Sequence, residues 1–292
     1  MKILVEQYLD FTTVQKKYAE NTVIAYRNDL YQFMTIIQDE INSSWLNVNN
    51  AMINNYIIYL EKEEKFTAST IARKVAAIKS FFNYLVAKGM MTEDENPTED
   101  LNSPKVEKRL PQAISVEEIN RLLNVKTYGD TPKSFRDRAI LELLYASGMR
   151  VTELCSLNVQ DIDFENGTVR VKGKNSGIQE RFIPLSEESQ EIIGNYVKDN
   201  RQHLIRSRDD SALFLNHRGQ RLTRQGLWLI IKYYVQKVGI AEKVTPHTLR
   251  HSFAAHRLSL GKSLEDLQKL LGHANISTTQ IYTHLPAFEI IK

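Results

Sequence analysis

Between Thr92 and Pro111 the chain loses its helical periodicity. Acidic and amide side chains crowd together there, and three prolines, Pro97, Pro104 and Pro111, interrupt them. A proline fixes φ and donates no amide hydrogen, so no regular element continues through such a stretch. The chain is therefore expected to fold as two bodies: one domain over 1–91, a linker over 92–111 and a second domain over 112–292. Both parts are long enough to bury a core of their own.

Charge divides along the same line. Residues 1–105 carry 11 Lys and Arg against 14 Asp and Glu, a formal −3, whereas 106–292 carry 27 against 21, a formal +6. An anionic partner is expected to lean on the C-terminal part. A single cysteine, Cys155, excludes an internal disulfide and a thiolate zinc cluster, which fits a reducing compartment. No run approaches the roughly 18 apolar residues of a membrane span, and Lys2 and Glu6 bring charge too early for a secretory signal. The expectation is a soluble, cytoplasmic protein with no membrane partner.

Apolar residues recur at helical spacing in Ile3–Val14, in Thr22–Gln38 behind an N-capping Asn21, in Met52–Leu60 and in Ser69–Ala87 ahead of Gly89. That predicts a bundle of about four helices. Beyond the linker, Ser115-Val-Glu-Glu118 is a capping box for a helix to Leu123, and a second helix over Phe135–Ser147 stops at Gly148. Thr168–Lys172 and Ile178–Pro184 alternate as two strands around the turn Gly173–Gly177. Helices return at Glu187–Asn200, Arg224–Val238, Pro246–Leu260, Leu264–Leu271 and, briefly, Thr278–Leu285. The fold class is mainly α with a small antiparallel β-sheet.

Four clusters in the second domain carry chemistry. In Thr245-Pro-His-Thr-Leu-Arg-His251, Thr245 caps a helix and Pro246 opens it, so His247 and Arg250 project together near a positive helix end. Leu249 and Phe253 would anchor that helix in the core. In Leu271-Gly-His-Ala-Asn-Ile-Ser-Thr-Thr-Gln-Ile-Tyr282, Gly272 ends a helix, His273 lies in the turn, and Ser277 caps the short helix bearing Tyr282. Arg150 follows the stop at Gly148, with Glu153 placed to hold it, and Lys174 sits at the tip of the strand-to-strand turn. Two arginines, two histidines, a lysine and a tyrosine supply what metal-free phosphoryl transfer needs: charge stabilisation, an acid and a nucleophile. A phosphodiester to tyrosine would conserve bond energy, which points to breakage and rejoining of DNA.

Each residue also has a plainer reading. Arg150 with Glu153 makes an ordinary ion pair, Lys174 an ordinary turn lysine with Lys172 as its rival, and Tyr282 an ordinary packing residue. His247 and His251 at i, i+4 lack the glutamate of a zinc motif, Thr248 standing in its place, so no metal is expected. His251 and His256 read as packing or hydrogen-bonded helix residues, and His284 as a surface neighbour. In the first domain Arg27, Arg73, Lys74 and Lys79 read equally as phosphate contacts or as a solvated face, with Lys74, Lys79, Thr67, Ser69 and Thr70 as the best local candidate.

Leu143-Leu-Tyr-Ala-Ser-Gly-Met-Arg-Val-Thr-Glu-Leu154, His247-Thr-Leu-Arg-His-Ser-Phe-Ala-Ala-His256 and Leu271–Tyr282 closely resemble the tyrosine recombinase (phage-integrase) family, above all its Xer branch. Asn21–Leu30 is similar to that family's N-terminal core-binding domain, so the resemblance spans essentially the whole chain. It implies a SAM-like helical bundle followed by an α-rich catalytic domain. It also implies Arg150 and Arg250 as phosphate clamps, Lys174 as acid to the leaving 5′-oxygen, His247 and His273 as proton-handling groups, Tyr282 as nucleophile and Glu153 as their support. The turn around Lys174 is about two residues longer than the family pattern, and ten residues follow Tyr282. The implied activity is a cofactor-free site-specific DNA recombinase acting through a 3′-phosphotyrosine and resolving chromosome or plasmid dimers. Its implied partners are double-stranded DNA, a homo- or hetero-tetramer on two sites, and a DNA-translocating ATPase. An integrase of a mobile element, a type IB topoisomerase-like nicking-closing enzyme and an idle DNA-binding regulator are the alternatives.

Overall fold

A computed structural model describes residues 1–38, 44–102, 104, 111–124, 126, 128–173, 180–206, 211–241 and 244–285. The chain divides into two compact units, Met1–Lys108 and Arg109–Lys292. Four α-helices build the first: α1 (Lys2–Val14), α2 (Glu20–Ile37), α3 (Asn50–Lys62) and α4 (Ala68–Ala87). Asn49 and Thr67 cap α3 and α4 by accepting from the backbone amides of Met52 and Thr70. α2 begins one residue before the expected cap Asn21, with Ala19 at the capping position and the acid Glu20 facing the positive helix end.

Trp45 centres this unit's core. It is fully buried among Phe33, Phe81 and Phe82, and its indole donates to the carbonyl of Met1 (3.1 Å). Met91 and Leu101 belong to the same core. Asp29 is also buried, and a buried carboxylate is costly unless paired. Lys74 answers it at 2.9 Å, with Gln32 accepting from the same ammonium at 2.6 Å, and Arg73 pairs with Asp29 from outside. Lys74, expected among the surface candidates, therefore points inward, because the carboxylate buried beside it needs a cation.

The second unit is arranged around α6 (Pro132–Ser147), which buries Ala139, Ile140, Leu141, Leu143 and Leu144. Its other helices are α5 (Val116–Leu123), α7 (Val151–Ser156), α8 (Glu187–Asn195), α9 (Arg224–Lys237), α10 (Pro246–Ser259), α11 (Leu264–Leu271) and α12 (Ser277–Gln280). Beyond α8 the chain loosens into a π-turn, Tyr196–Asn200, where the sequence predicts continuous helix; beyond α12 it tightens into a 3₁₀ turn, Ile281–His284. The antiparallel sheet runs β1 (Ile162–Asp163), β2 (Thr168–Val171), β3 (Arg181–Pro184), with Val169 facing Ile162 on one side and Ile183 on the other. β1 and α7 are too short for periodicity to reveal them. Among the described residues no helix is long and apolar enough to cross a membrane.

Gly148 ends α6 at φ +58°, and a Cβ there would lie 2.3 Å from Cδ1 of Phe253 on α10. Glycine is required twice over, for the left-handed backbone and for the approach of that ring. Gly148→Ala should lose about 2–5 kcal/mol in urea denaturation, combining left-handed strain with overpacking. A loss below about 0.5 kcal/mol would mean that Phe253 moves aside at little cost.

Candidate active site

Three guanidinium groups meet at the carboxyl end of α11. A helix ends with unsatisfied carbonyls and partial negative charge, which suits cations. Arg181, from β3, donates through Nε to the Leu270 carbonyl (2.8 Å). Arg150, at the capping position of α7, donates to the carbonyls of Leu271 (3.4 Å) and Gly272 (3.2 Å). Arg250, one turn into α10, donates to the carbonyls of Leu271 (2.8 Å) and Gly148 (2.6 Å). Gly272 closes α11 at φ +62°, a left-handed backbone that favours glycine, and a Cβ there would sit 2.8 Å from Nη1 of Arg181 and push that guanidinium aside.

One buried carboxylate binds two of the three. Glu153 takes a bidentate pair from Arg181 (3.0 and 2.8 Å), a contact from Nη1 of Arg150 (3.3 Å) and the backbone N–H of Arg150 (2.7 Å). Burial pushes the Glu153 carboxyl up, but these hydrogen bonds and charges outweigh it and hold it below the ordinary glutamate value. Arg250, 5% exposed, hydrogen-bonds to two carbonyls and an imidazole, all neutral acceptors. Burial, and then the charge of Arg150, lower it to about 10, which still leaves it protonated at neutral pH. The cluster thus carries excess positive charge, an arrangement suited to an anion.

His273 and Tyr282 come to the same place from the turn after α11. Nε2 of His273 lies 2.9 Å from Nη2 of Arg250; a guanidinium only donates, so Nε2 accepts and Nδ1 carries the proton, which it gives to Oγ1 of Thr279 (2.9 Å). Burial and the neighbouring arginines depress this imidazole to about 4, so it is neutral at pH 7. Tyr282 lies on the 3₁₀ turn, 3% exposed, packed on Phe253, Ala254, Leu267 and Leu271. Its hydroxyl lies 2.9 Å from Nδ1 of His251. Burial raises the phenol above its ordinary value, and the charges of Arg250 and Arg150 pull back part of that shift. Ser277, expected as a cap, is instead the first residue of α12, its backbone N–H bound by Asn275 (2.9 Å).

Of the sequence-predicted residues, Arg150, Arg250, His273 and Tyr282 meet here. His247 stands exposed at the start of α10, its ring 6.4 Å from that of His251. Lys174 lies outside the described residues. Lys172, its rival, pairs with Asp161 at 3.1 Å. Sequence reasoning missed the contacts of Arg181 and His251. Arg181 sits on a predicted strand, at the end of the turn that resembles the family pattern, with nothing local to show what it contacts, and the i, i+4 spacing of His247 and His251 was a signal that one helix face carries both imidazoles. Among the described residues no group of three or more His, Cys, Asp or Glu side chains could hold a metal ion.

A buried phenol beside a pair of guanidinium groups, carried on α-helices with one small sheet, defines the tyrosine recombinase class. Comparison with known proteins agrees over nearly the full length: the phage integrase family profile matches residues 112–287, and its N-terminal SAM-like domain matches residues 5–89. The chain belongs to the phage integrase family and, within it, to the Xer branch of site-specific tyrosine recombinases. It is 46% identical to tyrosine recombinase XerC of Herpetosiphon aurantiacus over 292 residues, covering 100% of this chain and 94% of the relative. Tyrosine recombinase XerD of Oceanobacillus iheyensis is 38% identical, with 98% and 94% covered. The fold matches the crystal structure of XerH bound to a palindromic difH substrate after cleavage, with a TM-score of 0.74 at 21% identity and 96% and 91% covered.

Acid should destabilise this protein. The carboxyl of Glu153 and the imidazoles of His251 and His273 all have folded values below their unfolded ones, so the unfolded chain binds more protons. Their stabilisation is fully present above the ordinary histidine value and is lost as pH falls, through about 4 for the two imidazoles. Urea midpoints should fall steadily from pH 7 to pH 4. Glu153→Gln should remove part of that slope and cost roughly 3 kcal/mol at pH 7 by leaving Arg181 unpaired; an unchanged slope would refute the role given to the carboxylate.

Proposed function

We propose that this recombinase cuts and rejoins double-stranded DNA through Tyr282 and resolves chromosome or plasmid dimers in the cytoplasm. Arg150 and Arg250 hold the non-bridging oxygens of one phosphodiester, His247 hydrogen-bonds to it, and His273, accepting from Arg250, orients that guanidinium towards it. The Tyr282 oxygen attacks phosphorus, the bond to the 5′-oxygen breaks, and Lys174 gives that oxygen its proton. A 3′-phosphotyrosine remains and is reversed by attack of a 5′-hydroxyl. The carrying observation is the Tyr282 hydroxyl, buried beside Arg250, a guanidinium whose hydrogen bonds all go to neutral acceptors.

Relatives support the substrate and the setting: XerH was crystallised on difH DNA, and the similar relatives are XerC and XerD recombinases. Exchange between two duplexes cuts four strands, and each chain offers one Tyr282, so four protomers, identical or of two kinds, would act on two sites. A DNA-translocating ATPase is a fitting regulator of such an assembly.

Tyr282→Phe should bind its DNA site in a gel-shift assay yet leave no covalent adduct on a nicked suicide substrate; an adduct with that variant would refute the nucleophile. Arg250→Ala should slow cleavage roughly 100–1,000-fold or more. Because guanidinium groups meet the phosphate charge, EDTA should leave cleavage intact, and loss of activity on chelation would overturn that part of the mechanism. Relaxation of supercoils with no exchanged product between two sites would reassign the chain as a nicking-closing enzyme.

A further inference from the structure

A phenol that attacks phosphorus must lose its proton, and burial makes this phenol reluctant to ionise. The imidazole that meets the Tyr282 hydroxyl is that of His251, one turn beyond His247 on α10 and next to Arg250. Its Nδ1 lies 2.9 Å from the Tyr282 oxygen, and the two rings lie 5.5 Å apart at 53°. A candidate base must stand within hydrogen-bond reach of the proton it takes, and this one does so before any substrate arrives.

We propose that His251 is the group that accepts the Tyr282 proton as the phenol oxygen attacks DNA, an assignment that rests on Tyr282 being the nucleophile. The O–H bond of Tyr282 breaks and an Nδ1–H bond forms on His251. The Tyr282 oxygen bonds to phosphorus, the bond from phosphorus to the 5′-oxygen breaks, and that oxygen is protonated by the separate acid, Lys174. On religation the imidazolium returns its proton to the departing phenolate, so His251 is base in one direction and acid in the other.

The surroundings fit this role. Burial, and then the charges of His247 and Arg250, hold His251 at about 4 in the free protein, so the ring is neutral at pH 7, and with its hydrogen on Nε2 the Nδ1 lone pair faces the Tyr282 hydroxyl. A bound phosphodiester brings negative charge against Arg250 and offsets the cation that depresses the imidazole. His251 thereby becomes a stronger base only when substrate is in place.

The test is single-turnover cleavage of a nicked suicide substrate by His251→Asn and His251→Gln, with DNA binding measured in parallel to establish that the variants are folded. An amide oxygen can accept the phenol's hydrogen bond but cannot take its proton. Binding should persist while cleavage falls roughly 100- to 10,000-fold. Replacing Tyr282 with a more acidic fluorinated tyrosine should recover much of that loss in the variants while changing the parent rate little. A 5′-bridging phosphorothiolate, whose leaving group needs no proton, should not rescue them. Cleavage within threefold of the parent, rescue by the phosphorothiolate or failure of the fluorinated tyrosine to help would each overturn the proposal. Absence of any Tyr282 adduct in the parent protein would instead overturn the reading of Tyr282 on which it rests.

Discussion

The carboxyl end of α11 is the frame on which the pocket is built. Its last carbonyls receive Arg181, Arg150 and Arg250, which come from β3, the start of α7 and α10. Three like charges repel, and what holds them together is the negative end of a helix and the buried carboxylate of Glu153. Two glycines make the approach geometrically possible. Gly272 lets α11 end against Arg181, and Gly148 lets the turn after α6 lie on Phe253 while giving its carbonyl to Arg250. A pocket organised in this way is preassembled before any anion enters it, which is how an enzyme stabilises developing charge without reorganising at the moment of reaction.

The uncharged members of the pocket matter as much as the charged ones. Burial and nearby cations keep His251 and His273 neutral, and burial, against the pull of the same cations, keeps Tyr282 a phenol. Positive charge therefore resides on the guanidinium groups, while the imidazoles of His251 and His273 and the phenol of Tyr282 stay in their neutral forms. The tautomer of His273 is set by what surrounds it, Arg250 on one side and Thr279 on the other. These features destabilise the folded chain in acid, so the electrostatics that serve the site also limit the pH range of the fold.

The N-terminal unit follows the same rule at a smaller scale. Its helices are visible in the spacing of apolar residues, whereas the central place of Trp45, which lies between two of them, and the inward turn of Lys74 are not, because nothing in a helical stripe announces that Asp29, 45 residues earlier, will be buried against that lysine. A basic residue on a helix next to threonines reads as surface until its acidic partner is located. The C-terminal unit offers the counterpart in Arg181, whose strand position was readable and whose role was not, since Glu153 lies 28 residues away on another element.

What local chemistry governs, the sequence by itself determined. Ser115, Thr245 and Pro246 start their helices, Gly148 and Gly272 stop theirs, and Val169, Val171 and Ile183 alternate into a sheet, because caps, left-handed glycines and strand periodicity act within a few residues. The spacing of Arg150, His247, Arg250, His273 and Tyr282 was readable for the same reason, along with the family it resembles. Only the tertiary structure decided which imidazole meets the phenol, which arginine shares the carboxylate and which lysine turns inward. Those choices depend on contacts between residues 28 to 45 positions apart, brought together by packing that no local pattern encodes.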